Sequence, residues 1–215
     1  MKSKKGVIIS VCAASSVLLI TGLLVYAYFT SLDVRNNELT IADNTAEIAE
    51  RFSPPAEQTV NENVFPKEVA VENTGTSPCY VRVYADFSNS FIRSRSFISD
   101  DTNETELTFY SAERTIDDTD NVTTFVEHLN SGGDWVFVPE DSASVLAGYY
   151  YYTRPLGIGE STPVLFTYIK TVNPTEDDID QFDIYVYSES MQLSDINGST
   201  YTDYEAAWTD FLGGG

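Results

Sequence analysis

Two strand-like runs separated by an unmistakable turn constrain this chain more than any other feature. Lys67–Glu72 alternates, with Val69 and Val71 facing one way, and Tyr80–Phe87 resumes after Asn73-Thr74-Gly75-Thr76-Ser77-Pro78. Period-two alternation on both sides of a Gly/Pro/Asn cluster is the signature of β-strands joined by a reversal. The two strands either pair as a hairpin or cross between the sheets of a sandwich. Further runs fit the same reading: Glu47–Phe52, with Ile48 and Phe52 on one side, Trp135–Val138, Tyr149–Thr153, Thr162–Thr171 and Phe182–Ser188, with Leu107–Tyr110 as a short extra strand. The 14 Tyr and 12 Phe suit half-buried sheet surfaces.

Two helices are predicted among these strands. Val122, Phe125, Val126 and Leu129 follow i, i+3, i+4, i+7 spacing, with Asp120 or Asn121 as cap and Asn130-Ser131-Gly132-Gly133 as stop. Near the C-terminus, Thr202 and Glu205 have capping-box spacing ahead of an apolar stripe of Tyr204, Ala207, Trp208, Phe211 and Leu212. The expected fold is therefore all-β: an antiparallel, jelly-roll-like β-sandwich of eight or nine short strands with one or two short helices, one of them C-terminal. Its domain spans 42–212, residues 88–134 read as an insertion between core strands, and 213–215 form a flexible tail. There is no internal repeat.

The N-terminus reads as an export signal. Lys2, Lys4 and Lys5 precede a charge-free run from Val7 to Val25, and Val25 and Ala27 provide small residues before a cut between Ala27 and Tyr28. An uncleaved membrane anchor is the alternative, because the run approaches the length of a span. The expected location is outside the cell, in a matrix or on a cell surface, with membrane contact only through an uncleaved leader. Cutting after Ala27 removes three of the 12 basic residues and none of the 33 acidic ones, so nine remain and the formal charge is −24. Such a charge opposes nucleic acid and anionic membranes. The cut also leaves Cys79 as the mature chain's one cysteine, so no intrachain disulfide forms and the apolar core carries stability. Cys79 lies in a strand-like run, which favours a buried thiol over an intermolecular link.

Catalytic chemistry finds little support. His128 is the one histidine and no His-Glu-x-x-His is present, so neither a zinc site nor a Ser-His-Asp triad assembles from recognisable motifs. His128 reads as a surface residue of the first helix. No catalytic residue and no cofactor is assigned. Asp117-Asp118-Thr119-Asp120-Asn121 and Glu176-Asp177-Asp178 offer hard oxygen ligands for loose calcium binding, but neither matches a twelve-residue calcium loop. Asn103, Asn121 and Asn197 begin Asn-x-Ser/Thr sequons. In Tyr149-Tyr150-Tyr151-Tyr152 alternate rings face opposite sides, and ordinary sheet packing is preferred to a contact surface for a sugar or partner.

Ala27-Tyr28-Phe29-Thr30, Lys67–Gly75, Tyr80-Val81-Arg82-Val83 and Gly148–Tyr152 together resemble segments of the TasA and camelysin family of exported Gram-positive biofilm matrix proteins. Ala27-Tyr28-Phe29-Thr30 resembles the junction cut by that family's specialised signal peptidase, and Asn37-Glu38-Leu39-Thr40 the stretch that follows, with Leu39 where an aromatic is usual. Lys67–Gly75, Tyr80-Val81-Arg82-Val83, Gly148–Tyr152, Pro155–Thr162, Tyr187–Gln192 and Ala207-Trp208 resemble its later motifs in order and spacing; residues 88–134 are unmatched. The resemblance implies a jelly-roll subunit of extracellular fibres, partnered by copies of itself, by the signal peptidase and by other matrix or surface components. It further implies that the freed segment 28–41, with Phe29, Leu32, Val34, Leu39 and Ile41 as its apolar positions, adds as a strand to the next subunit. The alternatives are a monomeric surface adhesin or binding module, and the metalloprotease activity from which camelysin takes its name. The scarcity of metal ligands argues against the last.

Overall fold

In the computed structural model, residues 45–52, 59–114, 122–173, 175 and 182–213 are described. All belong to one compact unit, Asp43–Gly215.

Among these residues nine strands form two antiparallel sheets. The first has the order β1 (Ala46–Phe52), β2 (Asn61–Asn73), β8 (Phe166–Asn173), β4 (Ser96–Ser99), β5 (Tyr110–Ser111). The second has β6 (Trp135–Phe137), β7 (Tyr150–Tyr152), β3 (Cys79–Phe87), β9 (Ile184–Gln192). Three short helices complete it: α1 (Ser90–Arg93), α2 (Phe125–Asn130) and α3 (Tyr204–Phe211). The turn after Asn73 resolves as a sandwich crossover, since β2 and β3 lie in different sheets. Ser96–Ser99, inside the stretch read as an insertion, is a sheet strand that pairs with β8.

Alternation dictates the layers. Cys79, Val81, Val83, Ala85 and Phe87 of β3 face inward and meet Phe65, Val69 and Val71 of β2, Phe137 and Tyr150 of the second sheet, and Phe166 and Ile169 of β8 in one buried cluster. Cys79 is fully buried, and burial pushes its thiol up to about 11. The other face of the second sheet makes a second, smaller core. There Tyr80, Tyr151 and Met191 pack under Ala207 and Trp208 of α3. The four tyrosines thus divide as alternation requires, with Tyr150 and Tyr152 between the sheets and Tyr151 beneath the helix.

The turn is held from inside by Asn73, which is fully buried. Its amide donates to the carbonyls of Ser77 (2.9 Å) and Leu156 (3.0 Å), and its side-chain oxygen accepts from the Gly75 N–H at 2.9 Å. Cys79 and Leu156 exchange main-chain bonds of 3.0 and 2.8 Å, and the Thr162 hydroxyl accepts from the Val71 N–H at 3.0 Å. Gly159 takes φ +70, a left-handed conformation natural to glycine. The motifs Lys67–Gly75 and Pro155–Thr162 are therefore one structural unit. Proline shapes β2 too: the β1 ladder ends at Lys67, and the pairing with β8 shifts register between Pro66 and Val69. Pro66 has no N–H to offer a ladder, so irregularity at this point is expected.

Both main helices start later than the sequence reading placed them. α2 is capped by Thr124 in a reciprocal box with Glu127, not by Asp120 or Asn121. α3 is capped by Asp203, whose carboxylate accepts from the Ala206 N–H at 2.8 Å, not by Thr202.

Candidate functional site

The signal junction residues Ala27 and Tyr28, and the donor-segment residues Phe29, Leu32, Val34, Leu39 and Ile41, lie outside the described residues, as do the acidic runs 117–121 and 176–178. What the structure does describe is a pair of sheet edges. The chain enters the sandwich through β1, an edge strand of the first sheet. β9 is an edge strand of the second, and the two edges lie on the same flank: the Ser188 hydroxyl donates to the Ala46 carbonyl across the gap at 3.4 Å.

The seam between them is incompletely covered. Ala46 and Ile48 of β1, with Phe182, Ile184 and Val186 at β9, pack against the inter-sheet core yet remain only partly buried. Elsewhere along the core the corresponding side chains of β3 and β8 are closed off from solvent. From Ile184 to Glu189 the outer edge of β9 has no strand partner among the described residues. An edge of this kind exposes alternate N–H and C=O groups, ready to receive an extended chain.

A second surface lies on the outer face of the same sheet. α3 covers the end bearing Tyr80, Tyr151 and Met191 and leaves the other end open. There Tyr84 and Tyr187 stack at 4.9 Å with planes 18° apart, and Tyr149 stands edge-on to both at 5.8 and 6.2 Å. The Tyr149 and Tyr187 hydroxyls are 3.2 Å apart. Burial and this hydrogen bond raise the Tyr187 hydroxyl to about 12. Under the rings sit two arginines that sequence reasoning passed over. Arg82 is held between Tyr149 and Trp208, its guanidinium carbon 3.9 and 4.4 Å from the two ring centres, and it pairs with Glu189. Burial works against its charge, but hydrogen bonds to Tyr151 and Glu189 outweigh that and raise its pKa. Arg114 pairs with Asp86 and Glu140, both at 3.1 Å, and reaches over Tyr84 at 4.9 Å. One signal for Arg82 was present: in Tyr80-Val81-Arg82-Val83 it occupies the face opposite two core valines, between tyrosines.

The remaining candidates are absorbed by the fold. His128, read as a free surface residue, is half-buried: its Nε2 lies 3.0 Å from the Asp100 carboxylate and its ring stacks on Tyr110 at 4.0 Å. It rivets α2 to the strand pair β4–β5. Asn103 and Asn197 are exposed in turns: the Asn103 side-chain oxygen accepts from the Thr105 N–H at 3.3 Å, and the Asn197 N–H donates to the Asp195 carboxylate at 2.9 Å. Among the described residues no group of three or more His, Cys, Asp or Glu side chains is placed to hold a metal ion. Among the same residues no helix is long and apolar enough to cross a membrane. No protein-family model matches this chain, and no curated protein sequence matches it significantly.

Proposed function

We propose that this chain is an exported subunit of extracellular fibres, in which the segment 28–41 of one copy adds as a strand to the seam between β1 and β9 of the next. The half-covered seam is the observation that carries this reading. An added strand would pair its main chain with the open β9 edge and shield Ile184, Val186 and Ile48 from water, combining hydrogen bonds with apolar burial. The resemblance to the TasA and camelysin family supports the same reading and is the source of the donor-segment assignment. The donor segment carries Asp33, Arg35 and Glu38, a net charge of −1, and supplies apolar side chains at Phe29, Leu32, Val34, Leu39 and Ile41.

The test is truncation. Protein beginning at Tyr28 should form fibres visible by negative-stain microscopy. Protein beginning at Leu39 should keep its β-sheet circular dichroism and its cooperative unfolding but stay monomeric by size-exclusion chromatography. Fibres from the shorter form would sink the proposal.

A further inference from the structure

We propose that the tyrosine face of the second sheet binds a polysaccharide that carries no acidic groups. This surface is distinct from the β1–β9 seam, and the inference does not rest on fibre formation. Along β9 the outward positions are Tyr185, Tyr187 and Glu189, spaced about 7 Å apart as alternate residues of a strand must be. Tyr185 and Tyr187 are 54% and 43% exposed, the largest apolar surfaces this sheet presents. Tyr84 and Tyr149 broaden the row sideways.

Three properties define the ligand. The first is rigidity. Tyr84, Tyr149 and Tyr187 brace one another, and Arg82 is packed against the Tyr149 ring, so little side-chain freedom remains to be lost on binding. The second is amphipathic chemistry. The rings offer apolar surfaces, and the Tyr149 and Tyr187 hydroxyls both donate and accept, which suits a molecule with C–H faces and a rim of hydroxyls. The third is charge. Both arginines are sequestered, 5% and 3% exposed, and neutralised by carboxylates. The charged groups that do reach solvent here are the carboxylates of Glu189 and Glu140, whose side chains are 40% and 50% exposed. With a chain charge of −21, this surface repels an acidic polymer and accepts sugar hydroxyls or amines. The linear row favours an extended chain of sugars over a compact ligand.

Isothermal titration of the purified chain with cellohexaose and with an N-acetylglucosamine hexamer, against polygalacturonate as the acidic comparison, tests the assignment. At least one neutral hexamer should bind and polygalacturonate should not. Tyr187→Ala and Tyr185→Ala should each weaken binding about tenfold or more, as truncating a contact aromatic does. Phe211→Ala, which removes an exposed aromatic from α3 outside the row, should leave the affinity unchanged. Tyr185 is the more exposed of the two, so its variant reports on contact without disturbing the brace. The proposal is overturned if neither neutral hexamer binds at millimolar concentration, if polygalacturonate binds as tightly, or if both tyrosine variants bind like the parent. It is equally overturned if the variants abolish self-association while no sugar binds, since the face would then serve a second copy of the chain.

Discussion

Trp208 offers the sharpest test of how the second core is held. Its ring is fully buried beneath α3, edge-on to Tyr151 at 6.1 Å and to Phe211 at 5.6 Å, with the Arg82 guanidinium 4.4 Å away. Replacing it by alanine removes a large buried aromatic, which costs about 3–5 kcal/mol. Losing the desolvated cation–π contact adds about 0.5–2 kcal/mol. Against a typical total stability of about 5–15 kcal/mol, this leaves the domain marginal or unfolded. Phenylalanine should behave differently. The indole Nε1 of Trp208 is buried with no hydrogen-bond partner among the described residues. Deleting an orphaned buried donor recovers up to about 1–3 kcal/mol, which offsets most of the volume lost on shrinking the ring. Urea unfolding followed by circular dichroism and by the fluorescence of Trp135, the other tryptophan, reads both variants. At about 2–4 °C per kcal/mol for a domain of this size, Trp208→Ala should lower Tm by roughly 7–28 °C and Trp208→Phe by less than about 5 °C, read by a thermal scan. An alanine variant within about 1 kcal/mol of the parent would show that α3 is not part of the cooperative unit. A phenylalanine variant as damaging as alanine would show that the indole N–H is satisfied.

Two further predictions concern the inter-sheet core and α2. Cys79 rises from 9.0 to about 11 and Tyr150 from 10.0 to about 12, both mainly through burial. A raised folded pKa means the native state keeps its proton longer than the unfolded chain, so this stability is intact below pH 9 and falls as pH climbs from about 9 to about 12. The two groups together forfeit on the order of 5 kcal/mol across that window. Alkaline unfolding titrations should show the decline, and Cys79→Ala should abolish its lower portion; a flat profile to pH 11 contradicts the burial argument. Thr124→Ala should cost about 1–2 kcal/mol by opening the reciprocal cap with Glu127, while Thr124→Ser restores most of it. Equal losses in the two variants, measured by chemical denaturation, would assign the effect to the threonine methyl instead.

The elements that sequence patterning revealed are those whose period is unbroken. β3 alternates over its whole length, and its pairing across the sheet with β9 preserves that pattern, so its inward valines and outward tyrosines were legible residue by residue. β2 was only half visible, because Pro66 interrupts the run and argues against a central strand. The sheet tolerates it because the β1 ladder ends at Lys67 and the β8 ladder shifts register there. β4 escaped notice for a different reason. Ser96-Phe97-Ile98-Ser99 is too short and too polar to declare itself, and its strand character comes from β8, some 70 residues away. The helix caps slipped by one to four positions because several capping residues occur in series before each helix, and tertiary packing selects among them. The candidate surfaces divide similarly. Alternation divided Tyr149–Tyr152 between the two faces, but the exposed Tyr185 and Tyr187 were not singled out, and the arginines beneath the rings depend on partners, Glu189 and Glu140, that no local pattern connects.

An acidic sandwich whose β1 and β9 edges have no outer strand partner among the described residues has an evident hazard, which is edge-to-edge pairing with its own copies. Glu50 of β1 and Glu189 of β9 pair within the chain, with Lys67 and Arg82, so it is the net charge of −21 rather than the edge carboxylates that opposes the approach of a second copy. That charge extends the repulsion well beyond contact at low salt, since the screening length is about 10 Å at 0.1 M. A strand that does pair with the seam must therefore arrive with little charge of its own and with apolar side chains to seat. In the sequence, residues 28–41 combine a net charge of −1 with five apolar positions. On the proposed assembly, repulsion between whole copies, with acceptance reserved for one short segment, would convert an aggregation-prone geometry into a directional one.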